Sequence, residues 1–590
     1  MFSRRLAIAV FCVVFLCIAV GLLVRLTTGA GLPRVAAGTL VLEIHLDGGF
    51  PEGPPAAGLT SVFSPARTTL RELVETIDRA AADRAVAGIL ARVGGSPGGM
   101  AHAQEVRDAV LRFRSHKKFA WAYSETFGET GNASEAYYLA SAFDQIFLQP
   151  SGDLWLTGVA LQTPFVRGTF DKLGVTPVFG QRYEYKNAVN FYTEKEFTAA
   201  HREAMEKLKS SWFAQIVRGV AQGRRLTEDA IRAAVDRAPL LGQEAVTAGL
   251  VDGLAYRDEV VRRALAQASG SANLVQLSRY RARIGKAGGR PSLALIYGVG
   301  EVVRGRGAEN PFIQSVTMGS ETVGGAFRAA ADDPSVRAIV FRVDSPGGSY
   351  VASDTIWREV ARAREKKKPV IVSMGDVAGS GGYFVAIGAD KIVAQPGTIT
   401  GSIGVFAGKF VLSGLFEKLG VSFDEVHAGK NSLLWDPTRD FSPSERERFD
   451  AFLDRIYDDF TTKVALGRRL PKERVLEIAR GRIWTGEDAK ALGLVDELGG
   501  METAVRLAKR AAGIPAAEAV SFEIFPRPRT LAESIRERFF GAAGEEPEDE
   551  TDAHLMAAAV RTLRPLARRM HALGLDGGGG ALSMPPIGRD

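Results

Sequence analysis

Apolar positions along the chain follow two patterns. The first is Leu6–Val24, an uncharged run of 19 residues bracketed by Arg4, Arg5 and Arg25. At ~1.5 Å per residue it nearly spans a ~30 Å hydrocarbon layer, and it exceeds the roughly 7–15 apolar residues of a cleaved signal. It reads as an uncleaved transmembrane anchor, with cleavage near Thr28-Gly29-Ala30 as the alternative. Arg4 and Arg5 favour a cytoplasmic amino terminus, which puts the rest of the chain on the far side of the membrane. In the second pattern, short apolar runs of strand length alternate with helix-period segments. Thr39–Ile44 reads as a strand, Thr68–Ala82 as a helix, and Gly88–Val93 as a buried strand running into Gly94-Gly-Ser-Pro-Gly-Gly99. Such alternation predicts an α/β fold built from parallel βαβ units.

The pattern repeats itself. Ser134–Pro150 and Ser380–Pro396 align without gaps at an offset of 246, with 7 identities in 17. At the same offset Phe170–Val175 matches Phe416–Val421, and Gly249–Leu254 matches Gly493–Leu498 at 244. A period this long indicates two homologous domains rather than a solenoid. The expected organisation is an anchor over 1–30, a first repeat over 39–265, a linker over 266–290, a second repeat over 291–513 and a tail over 514–590. In the tail, Glu545–Asp552 holds six acidic residues in eight and reads as a disordered loop, followed by a basic amphipathic helix over Ala553–Leu573.

Composition narrows the function. The net charge of +6 is small for 590 residues, and no basic stripe interleaves with aromatics, so nucleic-acid binding has no support. Both cysteines, Cys12 and Cys17, lie in the anchor, leaving no disulfide framework or cysteine metal site in the body. No metal site, dinucleotide fingerprint or other cofactor motif is expected.

The chemistry concentrates between Gly375 and Val405. Ser380 precedes Gly381-Gly382 at a predicted helix start, where bare N–H groups favour developing negative charge. Ser345-Pro-Gly-Gly348 ends a predicted strand and offers a second set of N–H groups. Together they suggest a nucleophile and an oxyanion hole. The duplication supplies a control, because the first repeat reads Ser134-Glu135-Ala136 at the aligned positions and Leu156 where the second has Ser402. Ser134 is therefore expected to be a relic and Ser380 the nucleophile. None of the seven histidines forms a recognisable motif with Ser380, and no Gly-x-Ser-x-Gly elbow is centred on it. A lysine kept neutral by burial is the alternative base. Lys186 and Lys430 stand out because they align at the 244 offset.

These residues resemble the signal peptide peptidase A family in its long, two-repeat form. The resemblance covers about residues 1–515 and rests on Ser345–Gly348, Ala378–Tyr383, Thr400–Gly404 and Gly481–Lys490 with Gly493–Asp496. It implies tandem Clp-protease/crotonase-like repeats behind one N-terminal transmembrane helix. It also implies a membrane-bound serine protease with a Ser–Lys dyad that degrades signal-peptide remnants, assembled as a homotetramer on the periplasmic side of a bacterial inner membrane. Carried onto this chain, the resemblance assigns Ser380 as nucleophile, Lys186 as base and Ser402 as the hydroxyl orienting the lysine. Gly347, Gly348 and Gly381 would be the oxyanion donors. Lys430 matches the lysine of short, single-repeat members, so a Lys430–Ser380 pairing across subunits is the alternative. Two competing functions are a non-catalytic membrane scaffold and acyl-CoA chemistry on the same fold.

Overall fold

The computed structural model describes residues 38–53, 67–96, 98–129, 131–284, 291–307, 309–310 and 315–527. The expected anchor at Leu6–Val24 and the acidic run and helix of the tail lie outside these residues. Among the described residues no helix is long and apolar enough to cross a membrane.

Two sheets form the body. The first is parallel throughout, in the order β6 (Gly253–Leu254), β4 (Gln145–Leu148), β3 (Phe119–Ser124), β2 (Val86–Arg92), β1 (Leu40–His45), β7 (Asn273–Gln276). In the second, β18 (Glu497–Leu498), β14 (Lys391–Ala394), β13 (Val370–Gly379), β12 (Val336–Ser345), β8 (Ser292–Val299) and β19 (Ser521–Phe525) lie side by side in the same order, again parallel. Strand for strand, the second sheet restates the first. It is extended beyond β13 by β15 (Ile399–Gly401) and the antiparallel β17 (Ile483–Thr485). A small sheet of β9 (Glu301–Val303), β11 (Ser315–Gly319) and β10 (Glu309–Asn310) flanks it.

The near-continuous apolar strands are buried on both faces, as parallel sheets covered by helices require. Seven of the eight residues Ala338–Ser345 of β12 are buried, and the helices Leu70–Ala82 and Ser320–Asp332 cover their respective sheets at matching places. The first of these helices starts at Thr69, whose hydroxyl accepts the Glu72 N–H while the Glu72 carboxylate accepts the Thr69 N–H, a reciprocal cap.

Within the stretch read as a linker, residues 273–284 form a strand and a helix. β7 pairs with β1, and the helix Leu277–Ile284 buries Leu277 and Tyr280 against the first core. β19 does the same for the second sheet from within the expected tail. These edge strands are only four and five residues long and follow a loop, too short to extend the repeating apolar pattern of the body.

One further pairing joins the repeats. β5 (Thr176–Arg182) of the first runs antiparallel to β16 (Val405–Val411) of the second, with Arg182 opposite Val405. Lys186 lies four residues beyond β5, and Ser402 three residues before β16. The two-stranded ribbon therefore brings a lysine from one repeat to the serines of the other.

Candidate active site

Ser380 follows β13 and opens the short helix Gly381–Phe384. Its backbone takes φ 54° and ψ −117°, a region that costs a non-glycine residue of order 1–3 kcal/mol. Its N–H donates to Gly401 O at 2.8 Å, which anchors the turn to β15. Ser402 also has a positive φ of 51°, and its N–H donates to Arg482 O. The turn following each strand thus aims a hydroxyl into the same buried space.

Lys186 fills that space and is 1% exposed. Its Nζ lies 2.8 Å from Ser380 Oγ, 3.0 Å from Ser402 Oγ and 3.0 Å from the Ser402 carbonyl oxygen. No carboxylate pairs with it among the described residues. Burial alone pushes the amine down to about 7 from its ordinary 10.5.

Gly481 makes this placement possible. A Cβ there would stand 2.5 Å from the Lys186 nitrogen and Cβ, and its φ is +84°. Tyr183 and Tyr185 donate their N–H groups to Arg480 O, and Gly481 donates to Ile403 O. The Arg480–Gly481 turn therefore clamps the lysine segment on one side and the Ser402 turn on the other.

The expected oxyanion glycines also gather beside Ser380. A Cβ on Gly381 would lie 3.1 Å from Gly348 N and 3.2 Å from Gly347 Cα, so the two loops touch. The Gly347 N–H donates to Ser345 Oγ at 3.2 Å. Gly347 and Gly348 have φ of 104° and 152°.

Lys430 is not at this site within the chain. It lies on an exposed loop and makes no contact with Ser380 or Ser402. In the first repeat Ser134 Oγ accepts the Gly158 N–H at 2.8 Å, and Leu156, fully buried, occupies the position equivalent to Ser402.

Sequence reasoning passed over a second group of polar residues. Arg342, His102, Glu52, Glu105, Asp344 and Asp376 form a buried ionic cluster between the repeats. The available signal was three unusually placed charges, Arg342, Asp344 and Asp376, in otherwise apolar strands next to the glycine motifs.

A family model described as peptidase family S49 matches residues 112–270 and 362–515, one segment in each repeat. The chain is 31% identical over 476 residues to the chloroplastic serine protease SPPA of Arabidopsis thaliana, covering 79% of this chain and 69% of the relative. It is 30% identical over 527 residues to Protease 4 of Salmonella typhi, covering 85% and 83%. To Protease 4 of Haemophilus influenzae (strain ATCC 51907 / DSM 11121 / KW20 / Rd) the identity is 31% over 421 residues, covering 68% and 66%. With two matched repeats and relatives aligned along most of its length, the chain belongs to peptidase family S49 and is a serine protease.

Proposed function

We propose that the chain is a membrane-anchored endopeptidase working through a Ser380–Lys186 dyad on extended apolar peptides, signal-peptide remnants among them. The observation that carries this reading is the 2.8 Å approach of a buried, carboxylate-free amine to Ser380 Oγ. A neutral amine has two N–H donors and one lone pair. Three neighbours suit that inventory: Ser402 O and Ser402 Oγ accept the two N–H groups, and the lone pair faces the Ser380 hydroxyl.

The chemistry is acyl transfer. Lys186 takes the proton from Ser380 Oγ as that oxygen bonds to the peptide carbonyl carbon. The carbonyl π pair moves onto oxygen, held by the N–H groups of Gly348 and Gly381 with Gly347 alongside, donors worth about 3–4 kcal/mol each when removed. The C–N bond then breaks, and the ammonium of Lys186 returns its proton to the leaving amine. Water, deprotonated by the same lysine, cleaves the ester and regenerates the serine.

Apolar, unfolded substrates are inferred from the buried site and from the relatives. One relative, a protein of Enterococcus faecium, is described as a putative signal peptide peptidase SppA; it is 36% identical over 179 residues, which cover 30% of this chain and 52% of the relative. The anchor at Leu6–Val24 would hold such a site near peptides leaving the bilayer, and assembly as a tetramer would enclose it.

The test is a pair of substitutions assayed on a synthetic leader peptide. Lys186→Ala should abolish cleavage, while Lys430→Ala should keep most of it. The reverse outcome would transfer the base to Lys430 of a neighbouring subunit.

A further inference from the structure

The ionic cluster spans the repeats and ends at the catalytic loops. From the first repeat come Glu52, His102 and Glu105. From the second come Arg342 and Asp344 on β12 and Ser373 and Asp376 on β13. Arg342, 1% exposed, grips Glu52 with Nε at 2.8 Å and Nη2 at 2.7 Å, reaches Glu105 at 2.9 Å, and donates to Ser373 Oγ at 2.8 Å. Glu105 also accepts the Met501 N–H at 2.8 Å.

His102 Nε2 lies 2.6 Å from Glu52. Its Nδ1 stands 3.2 Å from Asp376 Oδ2, an ion-pair contact too oblique for a hydrogen bond. Asp376 Oδ1 is fixed instead by the N–H groups of Ala101 and His102 at 2.9 and 3.2 Å, at the start of the helix Met100–Ser115. Such a helix start favours a carboxylate. Asp344 Oδ1 accepts the Val377 N–H at 2.9 Å across the register shift that separates Val343 from Ser345.

The sequence clears room for this arrangement. A Cβ on Gly98 would come within 2.0 Å of His102 Nδ1, one on Gly375 within 2.7 Å of Glu52 Oε1, and one on Gly500 within 2.5 Å of the Glu105 carboxyl carbon. Gly98 belongs to Ser96-Pro-Gly-Gly99, the counterpart of Ser345-Pro-Gly-Gly348. The motif that lies beside the serine in the second repeat seats a histidine in the first.

The consequence lies in where the contacts end. Asp376 lies on β13, four residues before Ser380, which follows the strand's end, and Asp344 immediately precedes Ser345–Gly348. We propose that Glu52 and His102 of the first repeat are positioning residues for the protease. Through Arg342 on β12 and Asp376 on β13 they hold the ends of the two strands in the register that sets Ser380 against Gly347 and Gly348. The first repeat thereby supplies a brace for the nucleophile as well as an amine. The inference rests on Ser380 being the nucleophile.

Charge supports the geometry. Burial alone would lower the His102 imidazole, but Asp376 and Glu52 on either side outweigh it and raise it to about 9. At neutral pH His102 is then a cation between two carboxylates.

The experiment compares full-length Glu52→Gln, His102→Leu and His102→Gln with wild type, reading kcat, KM, the rate of fluorophosphonate labelling and the thermal midpoint. Ser380→Ala serves as control. Displacing reacting groups by ~1 Å costs about a hundredfold, so kcat and labelling should fall together by about tenfold to a hundredfold in Glu52→Gln and His102→Leu. KM should stay within about twofold. His102→Gln, whose amide N–H still reaches Glu52, should recover much of the loss. The inference is overturned if folded Glu52→Gln and His102→Leu keep wild-type kcat, or if His102→Gln is no better than His102→Leu. Should those two variants fail to fold, Asp376→Asn asks the same question, since it keeps the acceptor for Ala101 and His102 and removes only the charge. It should lower kcat severalfold at constant KM, and an unchanged kcat would overturn the brace. Labelling that persists in Ser380→Ala would instead sink the nucleophile assignment.

Discussion

Replacing Lys186 by methionine should abolish proteolysis and, at mildly acidic pH, make the protein more stable. A buried amine lowered from 10.5 to about 7 binds its proton more weakly in the folded chain than in the unfolded one. At ~1.4 kcal/mol per unit, that difference costs the folded state about 5 kcal/mol at pH values below 7. The cost shrinks as pH rises from 7 and vanishes above 10.5, where both states carry the neutral amine. Against it stand the three contacts of Nζ with Ser380 and Ser402, at ~1 kcal/mol each. Methionine is nearly isosteric and carries no charge, so it escapes the cost and forfeits the contacts. Lys186→Met should therefore gain about 2 kcal/mol at pH 6, break even near about pH 8, and lose about 2 kcal/mol at pH 9.5. Thermal midpoints of wild type and variant across that pH range read the sign directly. A variant less stable at pH 6, or a difference that does not change with pH, would refute the claim that burial holds this amine neutral.

Two further outcomes follow from the packing around the site. Gly481→Ala would drive a Cβ to 2.5 Å from the Lys186 backbone at a φ of +84°, so it should lower stability by about 1–3 kcal/mol and reduce kcat far more than KM; wild-type kcat in this variant would mean that the clamp does not position the lysine. Ser402→Ala removes one of the two acceptors of Nζ while leaving the Ser402 carbonyl in place, and should cut kcat by about tenfold or more with KM little altered, measured on the same peptide.

Much of this was legible in the sequence because it is local or repeated. The apolar runs of β2 and β12, the glycine pairs that follow them, and the ungapped match of Ser134–Pro150 to Ser380–Pro396 each lie within one short window. Lys186 surfaced only through its alignment with Lys430. Nothing in either segment says which amine is buried, since that is decided by the β5–β16 ribbon and by the space at Gly481. The edge strands β7 and β19 escaped because a strand of four or five residues is too short to show a periodicity, and its partners lie more than 200 residues away in sequence. Glu52 sits in a Gly/Pro-rich stretch that carries no motif, yet it meets Arg342 across 290 residues. Such pairings are set by the docking of the two repeats, which no window of sequence contains.

The central claim is that a neutral Lys186 activates Ser380, and the pH dependence of Ser380 labelling by a fluorophosphonate tests it most directly. In wild type the rate should climb about tenfold per pH unit below 7 and level off above it, following the amine as it loses its proton. In Lys186→Ala it should be low and nearly flat. A wild-type rate independent of pH between about 5.5 and 9, or rapid labelling that survives Lys186→Ala, would contradict it.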